Sequence, residues 1–128
     1  MAGAKTLLSI IELGGYPDFS ALYRQHGYTV ETITTGRKAI SRLRQGGFQV
    51  VVAEFNFQRE FRDRTSSLES ILATVQGTAG VKVIVLYHPS ELEQLERLRA
   101  RFADFIEQPL PVSRETMEEI LNGLTEGS

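Results

Sequence analysis

The sequence predicts an α/β domain in which five parallel strands form one doubly wound sheet with helices on both faces, a (βα)5 order. Three observations predict it. Short, β-branched apolar runs alternate with segments of 3.6-residue apolar period along the whole chain. Two of these runs, residues 49–53 and 82–87, are almost continuously apolar, as strands covered by helices on both sides must be. Strand followed by helix, repeated through the chain, demands right-handed crossovers that place helices above and below the sheet.

The elements follow in order. Residues 6–11 form a first strand. Phe19, Leu22, Tyr23 and His26 recur at helical spacing, Gly27 stops the helix, and His26 sits where positive charge suits the dipole. Residues 29–33 are the second strand, followed by a helix striped by Ala39, Ile40 and Leu43 and ended by Gly46 and Gly47. Residues 49–53 are the third strand. Leu68, Ile71, Leu72 and Val75 mark the third helix, ended by Gly77. Residues 82–87 are the fourth strand, after which Ser90 and Glu93 read as a capping box for a helix striped by Leu92, Leu95 and Leu98. That helix passes from acidic to basic, matching the macrodipole and offering pairs such as Glu93 with Arg97. Residues 104–107 are the fifth strand. Ser113 caps the last helix, which carries Glu115 near its start and a stripe of Met117, Ile120, Leu121 and Leu124. No repeat, low-complexity tract or linker interrupts residues 1–128, which read as a single domain.

Composition narrows the function. A chain of 128 residues has the size of one domain around a single core. A net charge of -2, mixed in sign, gives no electrostatic ground for direct nucleic-acid or acidic-membrane binding. The absence of cysteine excludes disulfides, thiolate metal sites and cysteine catalysis. No apolar run approaches the ~20 residues of a membrane span. The apolar stretch 7–11 is shorter than a signal-peptide core of about 7–15 residues and meets Glu12 at once. The expectation is a soluble, cytoplasmic protein. After the first strand, Gly14-Gly15-Tyr16-Pro17 is too short for a phosphate loop and lacks its Lys. No nucleophile–base constellation is visible, and neither His26 nor His88 has neighbouring ligands. Neither catalytic turnover nor a cofactor or metal is expected.

In such a sheet, function gathers at the carboxyl ends of the strands, where the strand order reverses. That rim brings together Glu12 and Leu13, Glu54 and Phe55, Tyr87 and His88, and Gln108 and Pro109.

Three strings carry a resemblance. Residues 34–40 (Thr-Thr-Gly-Arg-Lys-Ala-Ile), 48–54 (Phe-Gln-Val-Val-Val-Ala-Glu) and 102–110 (Phe-Ala-Asp-Phe-Ile-Glu-Gln-Pro-Leu) look like the second-helix opening, third strand and fifth strand of two-component response-regulator receiver domains. With the (βα)5 order and the length, the likeness covers essentially the whole chain, and it implies a flavodoxin-like fold. A working receiver needs an acidic pair for Mg²⁺, an acceptor Asp, a Thr or Ser after the fourth strand and a Lys after the fifth. Phosphoryl transfer there depends on positioning and on cations that neutralise developing charge. In this chain the matching positions hold Glu12 and Leu13, Glu54, Tyr87 and Gln108, and Pro109 alone is unchanged. The resemblance thus implies a pseudo-receiver, a phosphorylation-independent interaction module. The alternative is a receiver that accepts phosphate on Glu54 through an altered acidic site. A third class is another flavodoxin-like module that binds a small molecule. The implied partners are proteins: a signalling kinase, a scaffold or the chain's own output domain. A homodimer through the fourth helix, fifth strand and fifth helix is a further expectation.

Several readings stay open at this level. Glu54 either copies the charge of a phosphorylated aspartate, with fewer acceptor oxygens, or is a strand-end acid paired with an Arg. The segment 55–65 carries Phe55, Phe57 and Phe61 beside Arg59, Arg62 and Arg64 and has no Gly or Pro. Phe57, Arg59, Phe61 and Arg62 are a candidate loop interface, against a solvated loop whose surface ion pairs are worth roughly 0–1 kcal/mol each. Tyr87 reads as a core or rim packing residue rather than a rotating switch. The aromatic switch position of the resemblance falls at Phe105 or Ile106.

Overall fold

The structure, a computed structural model, describes residues 5–11, 18–55, 68–76, 80–102 and 105–126. Its strands are β1 (Lys5–Ile10), β2 (Tyr28–Ile33), β3 (Val50–Phe55), β4 (Lys82–Tyr87) and β5 (Ile106–Pro109). Its helices are α1 (Ser20–Gln25), α2 (Gly36–Gln45), α3 (Leu68–Gln76), α4 (Leu92–Arg99) and α5 (Arg114–Glu126). The strands form one parallel sheet in the order β2-β1-β3-β4-β5, so the expected (βα)5 architecture is present. The chain reverses direction across the sheet between β1 and β3, whose carboxyl ends lie side by side.

Alternation along the strands separates two cores. Leu8 and Ile10, Val51, Ala53 and Phe55, and Val83, Val85 and Tyr87 face α2, α3 and α4. Leu7, Val50, Val52, Ile84 and Leu86 face α1 and α5, where Leu22, Tyr23, Met117 and Leu121 cover them. β3 and β4 are therefore apolar on both sides, as their unbroken runs predict. Each fully buried Leu or Ile here is worth about 1.5–3 kcal/mol against exposure.

Local signals hold the helix ends. Thr35 Oγ1 accepts from Lys38 N–H at 3.2 Å and starts α2. Ser113 Oγ accepts from Thr116 N–H at 3.1 Å and starts α5, with Glu115 in its first turn as expected. His26 closes α1, and Gly27 follows at φ 91, a conformation that glycine adopts without penalty. Arg42 fastens the end of α2 to the sheet edge. It grips both Glu31 oxygens at 2.8 and 3.1 Å and reaches Gly46 O at 2.5 Å.

Three expectations change. The third strand runs on through Glu54 to Phe55, because Phe55 is buried and pairs in register with Tyr87. Gln49 precedes the strand yet still bonds its neighbours: its N–H reaches Thr6 O, and its carbonyl accepts from Lys82. The fifth strand lies two residues later than expected, at Ile106–Pro109, because Phe105 packs into the core and Leu110 N–H bonds Tyr87 O. Asp104 lies outside the described residues. The Ser90–Glu93 capping box does not form. Ser90 sits inside a 3-10 turn, Pro89–Glu91, and His88 takes the capping role, its Nδ1 accepting from Ser90 N–H at 3.2 Å. Pro89 suits the first position of that turn because it needs no donor there.

Candidate functional site

The carboxyl ends of β3, β4 and β5 are locked in register. Glu54, Leu86 and Gln108 form one cross-sheet row; Phe55, Tyr87 and Pro109 form the next. Residues in one row of a parallel sheet point to the same face, and adjacent rows point to opposite faces. Glu54 follows Val50 and Val52 by alternation, which puts its carboxylate and the Gln108 amide on the α1–α5 side. Tyr87 goes the other way, into the core beneath α3 and α4 with only 7% of its surface exposed.

The sequence-predicted rim thus divides. Glu54 and Gln108 come to the same face, both half-buried. The Gln108 amide donates back to Pro109 O at 3.0 Å, a short local bond that carries no charge toward Glu54. Pro109 ends the strand, exposed and without an N–H of its own, and Leu110 N–H makes the last bond to Tyr87 O. Tyr87 is packing, as the sequence favoured. Its hydroxyl is held above the usual phenol range, first by burial and then by the negative charges of Glu107 and Glu96. Glu12, Leu13 and the loop candidates Phe57, Arg59, Phe61 and Arg62 lie outside the described residues.

One grouping had no flag in the sequence. Arg99, at the end of α4, lays its guanidinium 4.2 Å from the Phe105 ring centroid and donates to Phe105 O at 2.8 Å. Its Nε stands 3.2 Å from Glu107 Oε2. A planar cation that stacks and bonds at once cannot be replaced by Lys without loss. Arg99 therefore ties α4 to the strand that bears Gln108. In the sequence Arg99 reads as one member of a solvated charge run, because the contact that singles it out spans the α4–β5 connection. A second tie, Arg101 with Glu69, joins the end of α4 to α3.

The Mg²⁺ that the resemblance implies finds a poor donor set. Hard divalent cations need several oxygen ligands in near-octahedral array. Among the described residues no group of three His, Cys, Asp or Glu side chains is placed to hold a metal. Leu13 brings no side-chain oxygen to its position, and Gln108 brings an amide in place of a cation. Of the rim positions, Glu12 and Glu54 bring side-chain carboxylates.

No family model matches the chain, and no curated protein does. Solved structures do match. The inactive form of the regulatory domain from the repressor of iron transport regulator RitR superposes with a TM-score of 0.73 at 16% identity, covering 97% of either chain. A response regulator receiver protein from Sinorhizobium medicae WSM419 gives 0.73 at 18% identity over 96% of this chain and 95% of its own. The receiver domain of a sensor histidine kinase from Pseudomonas aeruginosa PAO1, which coordinates a magnesium ion in its active-site cleft, gives 0.70 at 15% identity over 98% and 100%. At these identities the likeness speaks to architecture, and the architecture of this chain is that of the response-regulator receiver domain.

Proposed function

We propose that the chain is a pseudo-receiver: a non-enzymatic, phosphorylation-independent protein-interaction module of two-component-type signalling. The observation that carries this reading is the division of the rim. The position of the small hydroxyl is filled by a phenol packed into the opposite core, and the cation position by an amide bonded to its own strand. A phosphoryl group on Glu54 would find a phenol at position 87 in place of a compact hydroxyl and an amide at position 108 in place of a lysine, and electrostatic stabilisation is most of what such a site contributes.

The interaction face we assign is α4–β5–α5, open to a kinase, a scaffold, an output domain or a second copy. Leu92, on α4, is the large apolar side chain that stands exposed among the described residues, at 41%. β5 is an edge strand with Ile106, Glu107 and Gln108 half-exposed. Arg99 keeps this face in one arrangement. No helix among the described residues is long and apolar enough to cross a membrane; a cytoplasmic setting is part of the proposal. Incubation with acetyl phosphate followed by intact-mass measurement tests the reading. It expects no phosphate adduct, and a stable adduct on Glu54 would establish the altered phosphoacceptor instead.

A further inference from the structure

Independently of that reading, we infer that copies of this chain associate head to tail, the cationic face of α2 on one copy meeting the acidic face of α5 on the next. α2 contains four basic residues and no acidic one. Arg42 is turned inward and engaged by Glu31, whereas Arg37, Lys38 and Arg44 are exposed on the outer side with Ser41 between them. α5 presents the opposite sign: Glu115, Glu118 and Glu119 are exposed at helical spacing, while Arg114 reaches across to Gln25 Oε1 at 3.3 Å. The three charges span about 10 Å of helix axis on α2 and about 6 Å on α5, so the shorter acidic stripe fits within the length of the basic one. Among the described residues, none of these six has an ion-pair partner within the fold.

The topology keeps the two faces apart. α2 packs on the core shared with α3 and α4, and α5 packs on the core across the sheet shared with α1. The stripes cannot neutralise one another within a copy, and a two-fold dimer would set like against like on either face. Complementary patches on opposite sides of a molecule make a heterologous contact, which propagates as a linear array. A net charge of only -2 leaves little overall repulsion to oppose it. Exposed ion pairs are individually weak and are screened over about 8 Å at physiological salt. The association is therefore weak, concentration-dependent and salt-sensitive.

Sedimentation velocity over a concentration series tests this. The mass should rise with concentration in low salt, and apparent association should weaken about tenfold as salt goes from ~0.05 M to ~0.5 M. The variant R37E/K38E/R44E and the variant E115K/E118K/E119K should each stay monomeric alone, since each then carries one sign on both faces. An equimolar mixture should associate, because every contact in it is complementary again. Circular dichroism checks that the variants keep the fold; if either unfolds, the neutral R37Q/K38Q/R44Q replaces it and should also lose association. A wild-type chain that stays monomeric in low salt, including one whose α2 instead captures a nucleic-acid probe, overturns the proposal. So does association that strengthens with salt, or that survives either charge reversal.

Discussion

At Tyr87 a phenol occupies core volume beneath α3 and α4, on the face opposite Glu54. Restoring a small hydroxyl residue by Tyr87→Thr should therefore remove packing without creating a phosphate contact. The expected cost is about 3 kcal/mol in urea unfolding, and an unchanged midpoint would mean the ring is not in that core. Arg99 makes the complementary case. Arg99→Lys keeps the charge but loses the stack on Phe105, and should cost about 1 kcal/mol. A variant as stable as the wild type would remove the tie between α4 and β5. The residue types at the rim were legible in the sequence, but their division between two faces was not. That division depends on strand register, and one residue of register inverts every side chain.

Among the elements, β4 and the helices with clean stripes stand where the sequence puts them. β4 matches its expected bounds, and α2, α3 and α5 carry their expected buried residues. Departures occur at ends, where tertiary contacts outweigh local pattern. Phe55 and Phe105 each move a strand boundary by packing inward, and Ser90 is taken up in a 3-10 turn that His88 caps, which leaves Glu91 before α4 with no side-chain capping bond. The caps that do form make a direct prediction. Thr35→Ala and Ser113→Ala should each lose about 1 kcal/mol, measured by thermal or chemical unfolding. Losses near zero would show that the side chains only sit beside the helix ends.

For the whole molecule, pH should bracket stability from both sides. Tyr23, Tyr28 and Tyr87 are all held above the ordinary phenol range, chiefly by burial. The unfolded chain then gives up these protons first, so the stability they confer is whole below about pH 10 and is lost as pH rises through the folded values. Asp18 is held low by Ser20, whose hydroxyl and N–H both donate to it, and Glu31 is held low by its hydrogen bonds from Arg42. Their contribution is present above about pH 4 and disappears as pH falls through the lowered values. Urea midpoints across pH should form a plateau with both shoulders, and Tyr23→Phe should blunt the alkaline one; a midpoint flat through pH 11 would contradict the burial. Architecture was readable from the sequence because it rests on apolar period and turn residues. Function was less so, because the proposed loss of a phosphate site rests on which face each group takes. The central claim is that this receiver fold no longer takes a phosphoryl group, and its most direct test is a backbone-amide NMR titration with Mg²⁺ and then beryllofluoride. The account predicts no saturable shifts at Glu12, Glu54 or Gln108. Saturable shifts clustered there would contradict it and restore the phosphoacceptor.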